Sequence, residues 1–159
     1  MFTIRPARRL EHAVLLDIWL RSVRATHTFL SEQDIQSLLP VVRDQALANL
    51  ELWVLATNED RAAGFMGLAD RSLEALFIDP NYARRGGGRL MLEFARRLKG
   101  SLTVDVNEQN PAALQFYRAN GFTVTGRSAL DAGGRPFPLL HLREIGEAAT
   151  VSGSVEASC

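Results

Sequence analysis

The densest chemistry in this chain lies in Arg84-Arg85-Gly86-Gly87-Gly88-Arg89. Glycines let a backbone turn sharply and approach a ligand without a Cβ in the way. Leu90, Met91, Phe94, Ala95 and Leu98 follow at the spacing of one helix face, so the run opens a helix. The first N–H groups of a helix have no intrahelical acceptor and carry partial positive charge. With three guanidinium groups beside them, these features predict a pyrophosphate cradle. Two other phosphate motifs are excluded. A P-loop needs Lys after its glycines, and none follows; the dinucleotide fingerprint needs glycine at position 91, which is Met91.

Other residues could move protons. Glu74 lies in a predicted strand, Leu73 to Ile78, where alternation places it on one face with Leu76 and Ile78. It is a candidate base facing a cleft, or else a charge on a solvated face. His27 sits in Thr26-His27-Thr28-Phe29, while His12 and His141 have no partner pattern. Trp19 and Trp53 fit core positions. No Cys, His and carboxylate cluster has ligand spacing, so no metal is expected.

The elements that must position these groups read in chain order. Phe2 to Arg5 is a short strand ended by Pro6, and Arg9 to Arg24 is a helix carrying Val14, Leu15, Ile18 and Trp19. Ser31 caps a second helix, which Pro40 ends or hands on to a third, Val41 to Leu50. Strands follow at Leu52 to Ala56, Ala63 to Ala69 and Leu73 to Ile78, the last stopped by Asp79-Pro80. The helix after the glycines ends at Gly100. Leu102 to Val106 is a strand, and Asn110-Pro111 caps and opens a helix running to Asn120-Gly121. Strands at Phe122 to Gly126 and Phe137 to Leu142 close the pattern. Hairpins leading into strand–helix–strand units give a single α/β domain over residues 1–146 with a mixed sheet. The small, polar, aperiodic residues 147–159 read as a disordered tail.

Composition narrows the partners. The 159 residues hold 18 Lys plus Arg against 18 Asp plus Glu, with 47% hydrophobic residues. A neutral globular chain offers no global field for nucleic acid or an anionic membrane. The one cysteine, Cys159, allows no intrachain disulfide. No apolar stretch suits a signal peptide or a membrane span, so the cytoplasm is expected. Oligomeric state is not readable.

Two stretches in register resemble the GNAT superfamily of N-acetyltransferases, closest to its YjaB-type branch. The first is Leu76-Phe77-Ile78-Asp79-Pro80 followed by Gly86-x-Gly88 at a helix start. The second is Asn110-Pro111-Ala112-Ala113-Leu114-Gln115-Phe116-Tyr117 with Gly121-Phe122. The likeness covers residues 2–145 and includes Trp19-Leu20-Arg21-Ser22, Thr26-His27-Thr28-Phe29-Leu30 and Pro138-Leu139-Leu140. It departs from the family at Ala83, where the signature has Arg or Gln, and at Arg84, where glycine is frequent.

The resemblance implies a GNAT-type fold: a mixed, mostly antiparallel sheet with a splayed parallel pair, flanked by helices. It also implies a transferase that uses acetyl-CoA as cosubstrate. The acetyl group passes to a primary amine of a small molecule or protein by direct attack in a ternary complex. Phe77 and Ile78 would bond the pantetheine arm through their backbone. Arg84, Arg85, Gly86, Gly87, Gly88 and Arg89 would hold the pyrophosphate, and Asn110 would contact the cofactor. Tyr117 is implied as general acid to the departing thiolate, a role a phenol can fill. His27 falls where the superfamily lines its acceptor pocket, as a base or a pocket wall. An alternative is a non-catalytic acyl-CoA-binding or sensing module, which Ala83 favours and Tyr117 opposes. An RNA-binding Arg–Gly segment at residues 84–89 lacks length and aromatic interleaving.

Overall fold

A computed structural model describes residues 1–145, so the expected tail at 147–159 lies outside the described residues. These residues group into two compact units, Met1–Leu98 and Lys99 onward.

The first unit is an antiparallel meander with helices. Strand β1 (Thr3–Pro6) pairs with β2 (Glu51–Ala56), β2 with β3 (Ala62–Ala69), and β3 with β4 (Ser72–Ile78). A 3-10 turn at Arg9–Glu11 leads into α1 (His12–Thr26), later than the expected start at Arg9. Ser31 caps α2 (Glu32–Val41) as predicted: its side chain accepts from the Asp34 N–H, and Asp34 reaches back to the Ser31 N–H. Pro40 does not end this helix. The chain stays helical through it, and the disturbance appears as a π-type widening at Val42–Ala46 before a last α-helical turn, α3 (Leu47–Asn49).

Strand β2 is apolar on both faces because both are covered. Val54 and Ala56 join Leu15, Ile18, Trp19 and Val23 of α1, with Ile35, Leu47 and Phe65, in one core cluster. On the other face Trp53 packs at a 60° tilt against Phe94 of α4 (Gly87–Lys99), ring centroids 4.7 Å apart. The buried stripe of α4 is Gly87, Met91, Leu92 and Ala95, whereas Leu90 and Leu98, expected on one face with Met91 and Ala95, are exposed. Contact at Gly87 rotates the inward face toward the i, i+4 row through 87, 91 and 95.

In the second unit β5 (Thr103–Asn107) and β6 (Phe122–Ser128) each pair antiparallel with β7 (Leu139–Glu144). Helix α5 (Pro111–Ala119) starts behind Asn110 and stops at Asn120-Gly121, with Gly121 at φ 94°. Gly100 likewise takes φ 85° just past α4, as a C′ glycine should.

Candidate active site

The turn before α4 is built in steps. Asp79, almost fully buried, caps the 3-10 turn Pro80–Tyr82 by accepting the Asn81 N–H at 3.0 Å. It also accepts Arg21 Nη2 at 2.6 Å, which pins this turn to α1 and raises the Arg21 pKa. Asp79-Pro80 signalled a turn in the sequence; Arg21, 58 positions away, gave no signal. Ala83 then ends the 3-10 turn.

Arg84 takes φ 63°, the left-handed region that favours glycine. This is the backbone reason a glycine is frequent there. Gly86 follows at φ 81°, with nothing within 4 Å of where a Cβ would stand. The Leu90 N–H bonds to the Gly86 carbonyl at 3.1 Å and opens the helical ladder. The N–H groups of Gly87, Gly88 and Arg89 therefore have no carbonyl four residues back in the helix, and a glycine at the cap supplies no side chain to satisfy them. Gly87 serves packing instead: a Cβ there would lie 2.5 Å from Leu55 Cδ2. Its lack of a side chain lets the helix start close to the sheet. Arg85 lies over the Tyr82 ring at 5.4 Å, and Arg89 pairs with Glu93 at 3.3 Å on an exposed face. The backbone and charge present here fit a pyrophosphate.

Strand β4 leads into this turn. Phe77 pairs with Phe65, Ile78 with Gly64, and the Asp79 N–H bonds to the Ala63 carbonyl. Ala75 pairs with Gly67 but Leu73 pairs with Leu68, so Glu74 is an extra residue, a β-bulge. The alternation expected to carry Glu74 with Leu76 and Ile78 is thus broken. Glu74 instead lines a cavity of about 140 Å³ together with Ala75 and Phe77. Trp19, Leu47, Leu52 and Phe65 are among its other walls, so Glu74, itself an exposed residue, is the one carboxylate in an otherwise apolar lining. Its carboxylate accepts a hydrogen bond from the Ser72 hydroxyl.

His27 caps the C-terminus of α1, its ring 5.4 Å from Phe29 and 6.4 Å from Phe77. The Thr26 hydroxyl donates to the Ser22 carbonyl at 2.8 Å and lies 2.8 Å from His27 Nδ1. A hydroxyl has one proton, so Nδ1 is the donor of that pair and Nε2 keeps its lone pair. Burial pushes the imidazole pKa down, which holds it neutral.

In the second unit Asn110 is buried, and its side-chain oxygen accepts the Ala113 N–H at 3.2 Å, the expected N-cap. Tyr117 is 7% exposed, its ring set edge-on against Phe116 at 5.1 Å and Phe122 at 5.4 Å. Burial raises its pKa above the usual phenol range, so it keeps its proton. Among the described residues the Tyr117 hydroxyl has no hydrogen-bond partner. A core tyrosine ordinarily finds one.

Known proteins are similar to this chain in sequence and in fold. A family model described as an acetyltransferase (GNAT) domain matches residues 48–124. The chain is 46% identical over 142 residues to the peptidyl-lysine N-acetyltransferase YjaB of Salmonella typhimurium, covering 89% of this chain and 97% of that protein. It is 44% identical over 146 residues to Escherichia coli YjaB, covering 92% and 99%. The solution structure of apo YjaB from Escherichia coli superposes with a TM-score of 0.86 over 92% of this chain and 99% of that one. An N-acetyltransferase from Thermoplasma acidophilum, solved in complex with coenzyme A, shares the fold at a TM-score of 0.72 and 18% identity, over 91% and 98%.

Proposed function

The chain belongs to the GNAT acetyltransferases, and on that premise we propose that it moves the acetyl group of acetyl-CoA to the side-chain amine of lysine in proteins. The observation that carries the cosubstrate is the start of α4: helix N–H groups behind an open, left-handed Gly86, with Arg84, Arg85 and Arg89 around them. The relative solved with coenzyme A supports the same reading. For the acceptor, the support is that the YjaB relatives are peptidyl-lysine N-acetyltransferases, together with the Glu74 cavity. Apolar walls with one carboxylate suit a methylene chain ending in an amine.

In this reading the α4 N–H groups and the three arginines hold the pyrophosphate. The Phe77 and Ile78 backbone takes the pantetheine arm, and Asn110 adds a contact to the cosubstrate. Acetyl-CoA supplies a thioester whose carbonyl the amine attacks. The amine must first be neutral, and two groups could accept its proton. Glu74 is the one carboxylate lining the cavity; His27 is a neutral imidazole with Nε2 unprotonated. Tyr117 holds a proton for the departing thiolate, and among the described residues its hydroxyl is not spent on another group.

The test is to incubate the protein with acetyl-CoA and a lysine-containing peptide, a polyamine, or no acceptor, following thiol release and acetylated product by mass spectrometry. Thiol release coupled to acetyl-lysine is the expected outcome. Transfer to the polyamine alone would refute the lysine assignment. Acetyl-CoA binding without transfer to any amine would establish the sensing module instead.

A further inference from the structure

The second unit carries a group of side chains that the acetyltransferase reading does not use. His141 on β7 has Nδ1 2.7 Å from Asp105 Oδ1 on β5 and Nε2 2.6 Å from Ser128 Oγ on β6. An ionised carboxylate only accepts hydrogen bonds, so Nδ1 carries the proton and Nε2 turns its lone pair to the serine hydroxyl. A hydroxyl within reach of a base, and that base oriented by a third group, is the arrangement that activates a nucleophile on unrelated folds.

Strand register builds it. Asp105 is the direct partner of His141, so the two share a face. On β6, Val124 pairs with Leu142 but Gly126 pairs with His141, which leaves Thr125 as an extra residue. Unbroken pairing would turn Ser128 to the face that buries Phe122 and Leu142. The bulge puts Ser128 on the His141 face instead. Gly126, opposite the imidazole, leaves its flank uncovered: a Cβ there would touch His141 Cδ2 at 3.5 Å. The site is open to solvent, with 37% of the His141 and 54% of the Asp105 side chain exposed.

We propose that Ser128, His141 and Asp105 form a second acyl-transfer site, hydrolysing small activated esters. Ser128 Oγ attacks the ester carbonyl and forms an O–C bond while its proton passes to His141 Nε2. The ester C–O bond breaks, and the alcohol leaves with that proton. Water then attacks the acyl-serine, giving a proton to Nε2, and Ser128 recovers it as the carboxylic acid departs. Asp105 holds the imidazole in the tautomer this needs. An open site selects by leaving group rather than by shape, so the substrate class is aryl esters of short acids.

The experiment uses the full chain and p-nitrophenyl acetate with excess desulfo-CoA present, which fills the acetyl-CoA site and has no thiol to attack the ester. Nitrophenol release should fall at least about tenfold in Ser128→Ala and in His141→Gln, and clearly in Asp105→Asn, with melting curves confirming folded variants. A fluorophosphonate probe applied to the unmodified protein should label Ser128 and abolish hydrolysis. That measurement decides the matter even where a variant does not fold. Hydrolysis unchanged in folded Ser128→Ala, no hydrolysis by the parent, or a probe that labels another residue or none would overturn the proposal.

Discussion

Replacing Gly87 by alanine tests how α4 is seated. The new Cβ would stand 2.5 Å from Leu55 Cδ2 and 3.6 Å from Ile78 Cδ1. Leu55 is fully buried, so its methyl cannot swing aside without displacing neighbours. Overpacking of this kind costs about 1–3 kcal/mol. Alanine's helix preference returns at most about 1 kcal/mol, and less in the first turn. The net loss is about 1–2 kcal/mol, or roughly 2–8 °C in Tm for a chain of this size. Thermal unfolding of a double-mutant cycle isolates the cause. Leu55→Ala alone costs about 2–5 kcal/mol, but adding Gly87→Ala to it should cost nothing further or restore a few tenths. A Gly87→Ala protein as stable as the parent, or one losing the same amount in both backgrounds, would refute the reasoning.

Other outcomes follow from the same geometry. Tyr117→Phe should lower kcat about tenfold to a thousandfold with the KM for acetyl-CoA nearly unchanged, while Tm holds or rises because a buried hydroxyl without a partner among the described residues is removed; unchanged kcat would remove Tyr117 from the chemistry. Arg84→Gly relieves a left-handed arginine worth about 1–2 kcal/mol of strain, less about 0.5–1 for glycine's freedom in the unfolded chain, so Tm should rise by a few degrees. A fall in Tm would contradict the strain argument. Because burial lowers the His27 pKa below 6.5, the unfolded chain binds that proton more readily. The His27 contribution is therefore complete above 6.5 and lost as pH falls below it. Urea unfolding at about pH 7.5 and about pH 5.5 should show a pH slope that His27→Gln flattens, and an identical slope in both proteins would refute it.

Much of this was legible in the sequence because it is local. Ser31, Asn110-Pro111, Gly100 and Gly121 act within one helical turn, and each stands at the end it signals. The glycine run was legible as a turn, but its division of labour was not. That Gly86 supplies conformation and Gly87 supplies space depends on Leu55 across the sheet. The same holds for Glu74, Leu92 and Asp79. A bulge, a rotated helix face and an ion pair to Arg21 are set by strand pairing and packing between distant segments, which no periodicity encodes. Pro40 was legible as a boundary, since α2 closes at Val41 and helical residues follow to Asn49, but the π-type widening that carries the chain across it was not.

Calorimetric titration of acetyl-CoA into the parent and into Gly86→Val tests the central claim most directly. A β-branched side chain at φ 81° forces the turn out of shape and puts bulk where the backbone meets the ligand. The parent should bind at one site, and the variant should show no binding while still unfolding in one cooperative transition. No heat from the parent, or equal affinity in a folded variant, would contradict the account.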